Sequence, residues 1–373
     1  MDKKIGLVMT GGGARAAYQA GVVRALQEIT GKKSNLFDVI AGNSAGAINA
    51  TYYAAHCENW DIATRNLVEL WTRIKPNNVY DVRMRSLSEM GVKWLGGTLF
   101  GGLTTEGSQA NHLLDTKPLR RLIRRETDFS DVRKNIDKGH LYGLSLSTTN
   151  YTTGGSVIFY QGHPTVEEWA RSDRFAVRTD LNEDHLMASS AIPFFFPPVK
   201  IGDSYFGDGC IRQTTPLSPA IHLGADKIIA IGVRFPHPKE KMREMAFSAA
   251  QNPTIGQILG VMMNAIFLDS LEGDVERLLK INRLSGGMRT DQKEIPILML
   301  RPSKDLGKLA KNLPDKLPPF LRYLLKGIGV SDTEGSDLMS YLAFDNHYTG
   351  PLIELGYTDT LAKRDEVLRF IDV

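Results

Sequence analysis

The chain of 373 residues is poor in the residues that form disulfides or hold metals. Its only cysteines are Cys57 and Cys210, which are too few for a disulfide framework. There is no EF-hand loop and no cluster of histidine, cysteine and aspartate with the spacing of metal ligands. The sequence therefore predicts neither a bound metal nor another cofactor.

Long apolar runs and a strong excess of one charge are also missing. No run of about 18 apolar residues occurs, so no transmembrane helix is expected, and the N-terminus lacks the apolar stretch of a secretory signal. The net charge of +3 is too small to indicate nucleic-acid binding, and no nucleic-acid motif is present. We expect a cytoplasmic protein without a nucleic-acid partner, whose contact with membranes, if any, is peripheral.

The composition is otherwise that of a globular protein. Hydrophobic residues make up 42% and charged residues 23% of the chain, and the length suits one large domain or two. Strand-like and helical patterns alternate over residues 1–235, which we predict to form an α/β core. Residues 236–373 have mainly helical patterns with one strand, and we expect them to pack on the same domain.

Residues 37–55 have the pattern of a strand, a sharp turn and a helix of small residues. The turn, Gly-Asn-Ser-Ala-Gly at 42–46, matches the G-x-S-x-G pattern, in which a strained backbone lifts the serine hydroxyl above the sheet. Glycine is needed at Gly42 and Gly46 because a Cβ atom there would clash as the helix and strand close on each other. We predict that Ser44 is a nucleophile and that the N-terminus of the helix is directed at its oxygen.

A glycine-rich segment, residues 10–16, follows the first predicted strand, and we call it the glycine loop. The positions of Gly11, Gly13 and Ala16 fit the dinucleotide fingerprint, which also requires an acidic residue near the end of the second strand. Here Asp38 precedes that strand, so the dinucleotide interpretation fails. Two interpretations stay open: an oxyanion hole made by the amides of the loop, and a turn without a ligand.

A second conspicuous turn contains Asp208 between Gly207 and Gly209. The flanking glycines leave its carboxylate close to the backbone and able to approach another group. An ordinary Asp-Gly turn is the competing and more frequent interpretation.

Several other segments have two possible roles. The stretch 84–111, with Trp94, Leu95, Leu99 and Phe100, is either a mobile cover over an apolar site or a surface excursion. The arginines at 120, 121, 124 and 125 either meet anionic lipid headgroups or form a solvated face paired with acids.

Two apolar segments are equally open. The three phenylalanines at 194–196 either plug the core or line an apolar slot. Residues 255–279 form a core helix or a methionine-lined contact with acyl chains, and Met262, Met263 and Phe267 are candidates for contact with a lipid interface.

Taken together and in this order, the glycine loop, the elbow at 42–46 and Asp208-Gly209 resemble the patatin-like phospholipase family. The run 188–193, Ala-Ser-Ser-Ala-Ile-Pro, followed by Phe196-Pro197-Pro198, is typical of the same family. These motifs span residues 11–209, and the strand and helices that follow are family-like too. The resemblance implies a three-layer α/β/α fold with a central, mostly parallel sheet.

The resemblance also implies a lipid acyl hydrolase of the phospholipase A or lysophospholipase type, acting on a phospholipid or lysophospholipid through a Ser–Asp dyad. Ser44 would be the nucleophile and Asp208 its general base. An aspartate is normally too weak a base for a serine hydroxyl, so we expect burial to raise its pKa. The oxyanion hole is assigned by the resemblance to the glycine loop: Gly11, Gly12, Gly13 and Arg15, the last of which helps to hold the loop.

The sequence departs from the family pattern at Cys210, where glycine or alanine is usual, and at Ala16, where glycine is frequent. Two alternatives remain open. A Ser–His–Asp α/β-hydrolase would recruit a histidine after Asp208 (His222, His237 or His347), but that fold places its elbow after several strands. A non-catalytic lipid-binding relative is the other alternative, and the intact Ser44 argues against it.

Overall fold

The computed structural model describes residues 3–82, 112–246, 252–285, 294–310, 313, 317–330 and 336–372. The predicted cover at 84–111, with Trp94, Leu95, Leu99 and Phe100, lies outside the described residues.

The centre of the described part is one sheet of ten strands. The strands are β1 Ile5–Met9, β2 Val39–Asn43, β3 Gly143–Asn150, β4 Ser156–Gly162, β5 Ala170–Arg171, β6 Arg174–Arg178, β7 Val199–Ile201, β8 Ser204–Asp208, β9 Lys227–Ile231 and β10 Ile297–Leu300. Their order is β10-β9-β1-β2-β3-β4-β6-β5, with β8 paired to β3 and β7 to β8. The strands from β10 to β3 are all parallel, which confirms the predicted, mostly parallel sheet.

Helices cover both faces of this sheet. They are α1 Ala17–Thr30, α2 Ala45–His56, α3 Trp60–Arg73, α4 Pro76–Val79, α5 Lys117–Glu126, α6 Phe129–Asp137, α7 Glu183–Ser189, α8 Ser218–His222, α9 Lys239–Ala246, α10 Ile255–Phe267, α11 Asp269–Ser285, α12 Leu306–Leu309, α13 Pro319–Gly327, α14 Ser336–Leu342, α15 Asn346–Leu361 and α16 Arg364–Asp372. Leu7 and Met9 of β1 enter one buried core and Val8 enters the other. This alternation confirms the three-layer α/β/α fold.

The C-terminal part differs from the sequence prediction in its helix boundaries. The predicted helix over 255–279 is two helices that meet at Leu268. Residues 346–361 form the long helix α15, which the sequence analysis missed because Gly350 and Pro351 interrupt its pattern. Helix α13 begins at Pro319, directly after its N-cap residue Pro318.

By length and composition alone, Ile255–Leu284 is apolar enough to cross a membrane, and 33% of its most apolar window is buried. This differs from the expectation that no such segment exists. Core helices meet the same criterion, and Asp269, Glu272 and Asp274 add charges to this stretch.

The arginine-rich face of α5 is paired with acids. Arg120 contacts Glu183 at 2.8 Å, and Arg124 pairs with the same carboxylate. Arg125 contacts Glu126 at 2.7 Å. These ion pairs favour the solvated, paired face over a surface reserved for lipid headgroups.

Helix α15 packs closely on α1. A Cβ atom on Gly21 would lie 1.9 Å from the carbonyl oxygen of Ile353, and one on Gly356 would lie 2.1 Å from that of Tyr18. The two helices therefore touch backbone to backbone, which no larger residue would allow. This contact supports packing of the C-terminal part on the α/β core, while the boundary at residue 235 stays a prediction.

We predict that Gly356→Ala lowers the free energy of unfolding by roughly 2 kcal/mol or more, because the added methyl group would force α1 and α15 apart. Chemical denaturation measures the change. Gly273→Ala is the matched control: Gly273 is an exposed helical glycine with open space around its Cβ position, so this change should be neutral or stabilise by up to about 1 kcal/mol. Equal stability of the two variants would contradict the close packing of α15.

Candidate active site

Ser44 occupies the strained turn between β2 and α2. Its φ and ψ angles are 54° and −132°, and Ser44 and Phe194 are the only non-glycine residues with positive φ in the described part of the chain. A Cβ atom on Gly46 would lie 2.3 Å from the carbonyl oxygen of Met9, and one on Gly42 would lie 2.6 Å from Ala47 Cα. The predicted reason for both glycines is thereby confirmed.

The elbow is held by a residue to which the sequence analysis assigned no role. The backbone N–H of Ser44 donates to Ser189 Oγ at 3.2 Å, and Ser189 is fully buried at the end of α7. Ser189 belongs to the family-typical run at 188–193, which was the only signal for it in the sequence. Its hydroxyl stabilises the amide of the strained turn.

Asp208 ends β8 and is brought beside Ser44 by the pairing of β8 with β3. Thr148 of β3 lies opposite Asp208 in the register, and Thr149 Oγ1 donates to the Asp208 carbonyl at 2.8 Å. The carboxylate oxygen Oδ1 accepts from the backbone N–H of Cys210 at 2.9 Å. These contacts fix the side chain, which is completely buried.

Burial raises the pKa of the Asp208 carboxyl to about 7, while the neighbouring Ser44 hydroxyl and the amide and thiol of Cys210 limit the rise. Ser44 Oγ and Asp208 Oδ2 are buried and have no aligned hydrogen-bond partner in the described residues. The two groups are thus adjacent without an ideal hydrogen bond. Two unpaired polar atoms in one buried site are costly to the fold, which favours a functional reason for them.

The glycine loop passes directly over this pair. A Cβ atom on Gly11 would lie 2.7 Å from Ser44 Cβ and 2.6 Å from Cys210 Sγ. Gly13 has a φ of 57° and begins a short 3₁₀ helix over Gly13–Ala16. The structure therefore brings the glycine loop, Ser44 and Asp208 together, and Cys210 completes the contact between them.

A buried network anchors the inner side of the glycine loop. Gln19 Nε2 donates to the carbonyl of Thr10 at 2.7 Å. Asn49 Nδ2 donates to Gln19 Oε1 at 2.9 Å, and Trp71 Nε1 donates to Asn49 Oδ1 at 2.7 Å. Sequence reasoning missed these three residues; the weak signal was a polar Asn49 within the small-residue helix α2.

Arg15 anchors the outer side of the loop. Its Nε donates to Ser340 Oγ at 2.8 Å and its Nη2 donates to Asp337 Oδ1 at 3.0 Å. The guanidinium also lies over the ring of Tyr341, 4.5 Å from its centroid. These contacts direct the side chain of Arg15 to α14, so its part in the glycine loop is that of an anchor.

A narrow apolar cavity of ≈30 Å³ opens beside Ser44. Its walls come from α2, α3, α5 and the run at 190–196, and its apolar residues include Ile48, Leu70, Trp71, Leu122, Ile192, Phe196 and Phe344. Phe196 thus lines an apolar slot and Phe195 is buried, whereas Phe194 is 70% exposed.

The three histidines of the alternative triad make other contacts. His222 stacks on Trp169 at a centroid distance of 4.8 Å. His237 lies 3.7 Å from Asp305, and His347 contacts Asp345 at 2.7 Å. None of these contacts involves Ser44 or Asp208. Among the residues that the structure describes, no group of three or more His, Cys, Asp or Glu residues could hold a metal ion.

Comparison with known proteins identifies one family and several similar solved structures. The family model described as patatin-like phospholipase matches residues 7–221. The structure of VipD from Legionella pneumophila is similar at 14% identity and a TM-score of 0.38, covering 98% of this chain and 67% of VipD. Human GIVD cytosolic phospholipase A2 is similar at 11% identity and a TM-score of 0.43, covering 99% of this chain and 60% of the human chain.

The buried Asp208 predicts a stability effect that depends on pH. An unfolded aspartate has a pKa of about 3.9, so a folded pKa of about 7 makes a stability contribution that is complete below pH 4 and is lost as the pH rises through 7. Asp208→Asn removes this loss. We expect it to stabilise the protein by roughly 2–3 kcal/mol more at pH 8 than at pH 5.

Denaturation curves at the two pH values test this expectation, with Asp203→Asn in the exposed β7–β8 turn as the matched control. The control should show little difference between the two pH values. If Asp208→Asn changes the stability equally at both pH values, then the pKa of the Asp208 carboxyl is not raised in the folded protein.

Proposed function

The chain belongs to the patatin-like phospholipase family, and from this premise we propose that it cleaves fatty acyl esters of lipids with Ser44 as nucleophile and Asp208 as general base. Membership of the family supports lipid hydrolysis as the activity; the two residue roles and the type of lipid are our proposal. The observation that carries the proposal is the buried Ser44–Asp208 pair under the glycine loop, beside an apolar cavity.

In the proposed reaction, Asp208 accepts the proton of Ser44 Oγ while that oxygen attacks the ester carbonyl carbon. The carbonyl π pair moves onto the oxygen, which becomes the oxyanion of a tetrahedral intermediate. When the intermediate collapses, the bond to the leaving alcohol breaks and Asp208 returns the proton to that alcohol. Water then attacks the acyl-Ser44 ester with Asp208 again as base, releasing the fatty acid and restoring Ser44.

The pKa of about 7 for Asp208 makes this exchange feasible near neutral pH. A base with such a pKa is partly ionised at pH 7 and accepts a proton far more readily than an exposed aspartate. Burial therefore gives a carboxylate the proton affinity that a histidine supplies in other serine hydrolases.

The developing oxyanion needs hydrogen-bond donors, and we assign this role to the amides of the glycine loop. Gly11, on which an added Cβ atom would lie 2.7 Å from Ser44 Cβ, has no side chain to block a substrate carbonyl. The N-terminus of α2 begins at Ala45 and adds a partial positive charge at the serine. A single donor of this kind is typically worth about 2.7–4 kcal/mol of transition-state stabilisation.

We assign the apolar cavity to the acyl chain of a phospholipid or lysophospholipid. Ser44 lies in its wall, so a chain that enters by moving the apolar side chains apart has its ester end near the hydroxyl. The aromatic walls, Trp71, Phe196 and Phe344, favour an acyl chain over a polar substrate.

Contact with a membrane surface is the second part of the proposal, and helix α10 supports it. Ile255, Ile258, Val261 and Met262 of this helix are 62%, 48%, 68% and 49% exposed, and α10 has no charged residue. Its opposite face is buried. Phe267 on that face lies so close to the glycine loop that a Cβ atom added to Gly11 would be 3.1 Å from its ring. We propose that α10 lies on the membrane surface, with one face in lipid and the other on the glycine loop.

The sequence-based choice of contact residues is thereby corrected. Met263 and Phe267 are buried at 5% and 1% exposure, so they are not available to lipid. The pattern could not separate the faces of α10, because apolar residues occur on most of its sides.

We predict that a fluorophosphonate labels the protein at Ser44, and that Ser44→Ala and Asp208→Asn each abolish hydrolysis of a p-nitrophenyl ester. Ser44→Ala loses the attacking oxygen, and Asp208→Asn loses the base. Mass spectrometry locates the label, and thermal denaturation verifies that both variants are folded. Single alanine variants of the eight histidines serve as controls. Ordinary turnover by folded Asp208→Asn, or a histidine variant as inactive as Ser44→Ala, would overturn the dyad.

We also predict that Ile258→Ser combined with Met262→Ser weakens both binding to phospholipid vesicles and vesicle hydrolysis by about tenfold. Full burial of a large apolar side chain stabilises by about 1.5–3 kcal/mol. Because these two side chains are about half exposed, entering lipid gains only part of that energy, and the serine variant loses this part. Hydrolysis of a short, water-soluble ester should not change. Ile62→Ser on α3 is the matched control, because Ile62 is also 48% exposed. A parallel loss of both activities would make the face structural. Unchanged vesicle binding would remove α10 from the contact and leave the exposed Phe194 as the next residue to vary.

A further inference from the structure

The glycine loop rests on a segment far outside the part that the family model matches. Residues 337–344 make up most of α14 and the two residues after it, and they lie more than 100 residues after the matched range of 7–221. A Cβ atom on Gly13 would lie 2.2 Å from the carbonyl oxygen of Tyr341. The backbone of α14 therefore touches the backbone of the loop, with no side chain between them.

The same segment encloses Arg15. The Ser340 hydroxyl accepts from Arg15 Nε at 2.8 Å and donates to the Asp337 carbonyl, so both of its hydrogen-bonding functions are used. Arg15 is only 3% exposed, and a buried guanidinium without partners is very unfavourable. Helix α12 packs closely on the Arg15–Asp337 ion pair: a Cβ atom on Gly307 would lie 2.1 Å from Asp337 Oδ1 and 3.2 Å from Arg15 Nη2.

The support extends along the whole loop. The ring of Tyr341 packs against Phe267 at a centroid distance of 5.4 Å, and Phe267 contacts the loop at Gly11. The Tyr341 hydroxyl donates to Asn264 Oδ1 of α10 at 2.9 Å. Helices α10 and α14 therefore contact each other. Helix α10 contacts the glycine loop at Gly11, and α14 contacts it at Gly13.

We infer that Asp337 and Ser340 are positioning residues, which fix the direction of the glycine-loop amides through Arg15. This inference rests on the proposed function, in which those amides bind the oxyanion. Asp337 and Ser340 contact Arg15 of the glycine loop, and neither residue lines the acyl cavity. Loss of the anchor should therefore weaken binding of the transition state while substrate binding stays nearly the same.

The test compares Ser340→Ala and Asp337→Asn with the wild-type protein on a soluble p-nitrophenyl ester. We expect kcat to fall by about 10- to 100-fold in Ser340→Ala, with KM changed by less than about twofold. Asp337→Asn should fall less, because the Asp337 side chain is 43% exposed; this exposure also makes it the variant whose fold is safest. Ser340→Thr keeps the hydroxyl and should restore most of kcat.

Asp345→Asn is the matched control within the same segment. Asp345 caps α15 by accepting from the His347 N–H at 2.9 Å and has no hydrogen bond to Arg15. It should lower thermal stability without the kcat effect.

Hydrogen exchange of the peptide that covers residues 10–16 gives a second readout that needs no activity. Exchange should accelerate in Ser340→Ala and stay at the wild-type rate in Asp345→Asn. Wild-type kcat with wild-type exchange in folded Ser340→Ala would overturn the inference, as would an equal loss of kcat in Asp345→Asn. Absence of Ser44-dependent hydrolysis in the wild-type protein would instead overturn the proposed function, and hydrogen exchange would then still decide whether the anchor exists.

Discussion

The structure of the site depends on one backbone constraint, the positive φ of Ser44 in the turn between β2 and α2. A strained residue of this kind costs about 1–3 kcal/mol and persists only where its surroundings hold it. Here they do so by close approach: Gly46 of α2 lies against the carbonyls of Met9 and Thr10. The same approach puts the N-terminus of α2 and the start of the glycine loop on the same side of the sheet, next to the serine hydroxyl.

The second cost is the burial of Asp208. Its carboxyl leaves water for a site with a single backbone donor to Oδ1, and its pKa rises to about 7 as a result. At pH 8, this burial makes the protein less stable than it would be with asparagine at the same position. A carboxylate that ionises near neutral pH is also what a dyad without histidine requires. The stability cost and the proposed chemistry thus have the same physical origin.

Local patterns in the sequence were sufficient for the elbow, the glycine loop and the Asp208 turn, because each consists of glycines next to one functional residue. The anchors could not be predicted in this way, since Arg15 meets Asp337 and Ser340 across more than 320 residues of sequence. Helix α15 was hidden by Pro351, and its packing on α1 depends on Gly21 and Gly356, which are far apart in the chain. In α10, an apolar pattern on most sides left the buried face undetermined, so Met263 and Phe267 were wrongly expected at the surface.

In the proposed dyad, a buried aspartate, rather than a histidine, activates Ser44. The most direct measurement is the rate of fluorophosphonate inactivation as a function of pH, in the wild-type protein and in Asp208→Asn. We predict that the wild-type rate rises with pH through one apparent pKa near 7 and then levels off. In Asp208→Asn the rate should be low, and this titration should be absent. A titration near 7 that survives in Asp208→Asn and disappears in a histidine variant would show that a histidine, and not Asp208, activates Ser44.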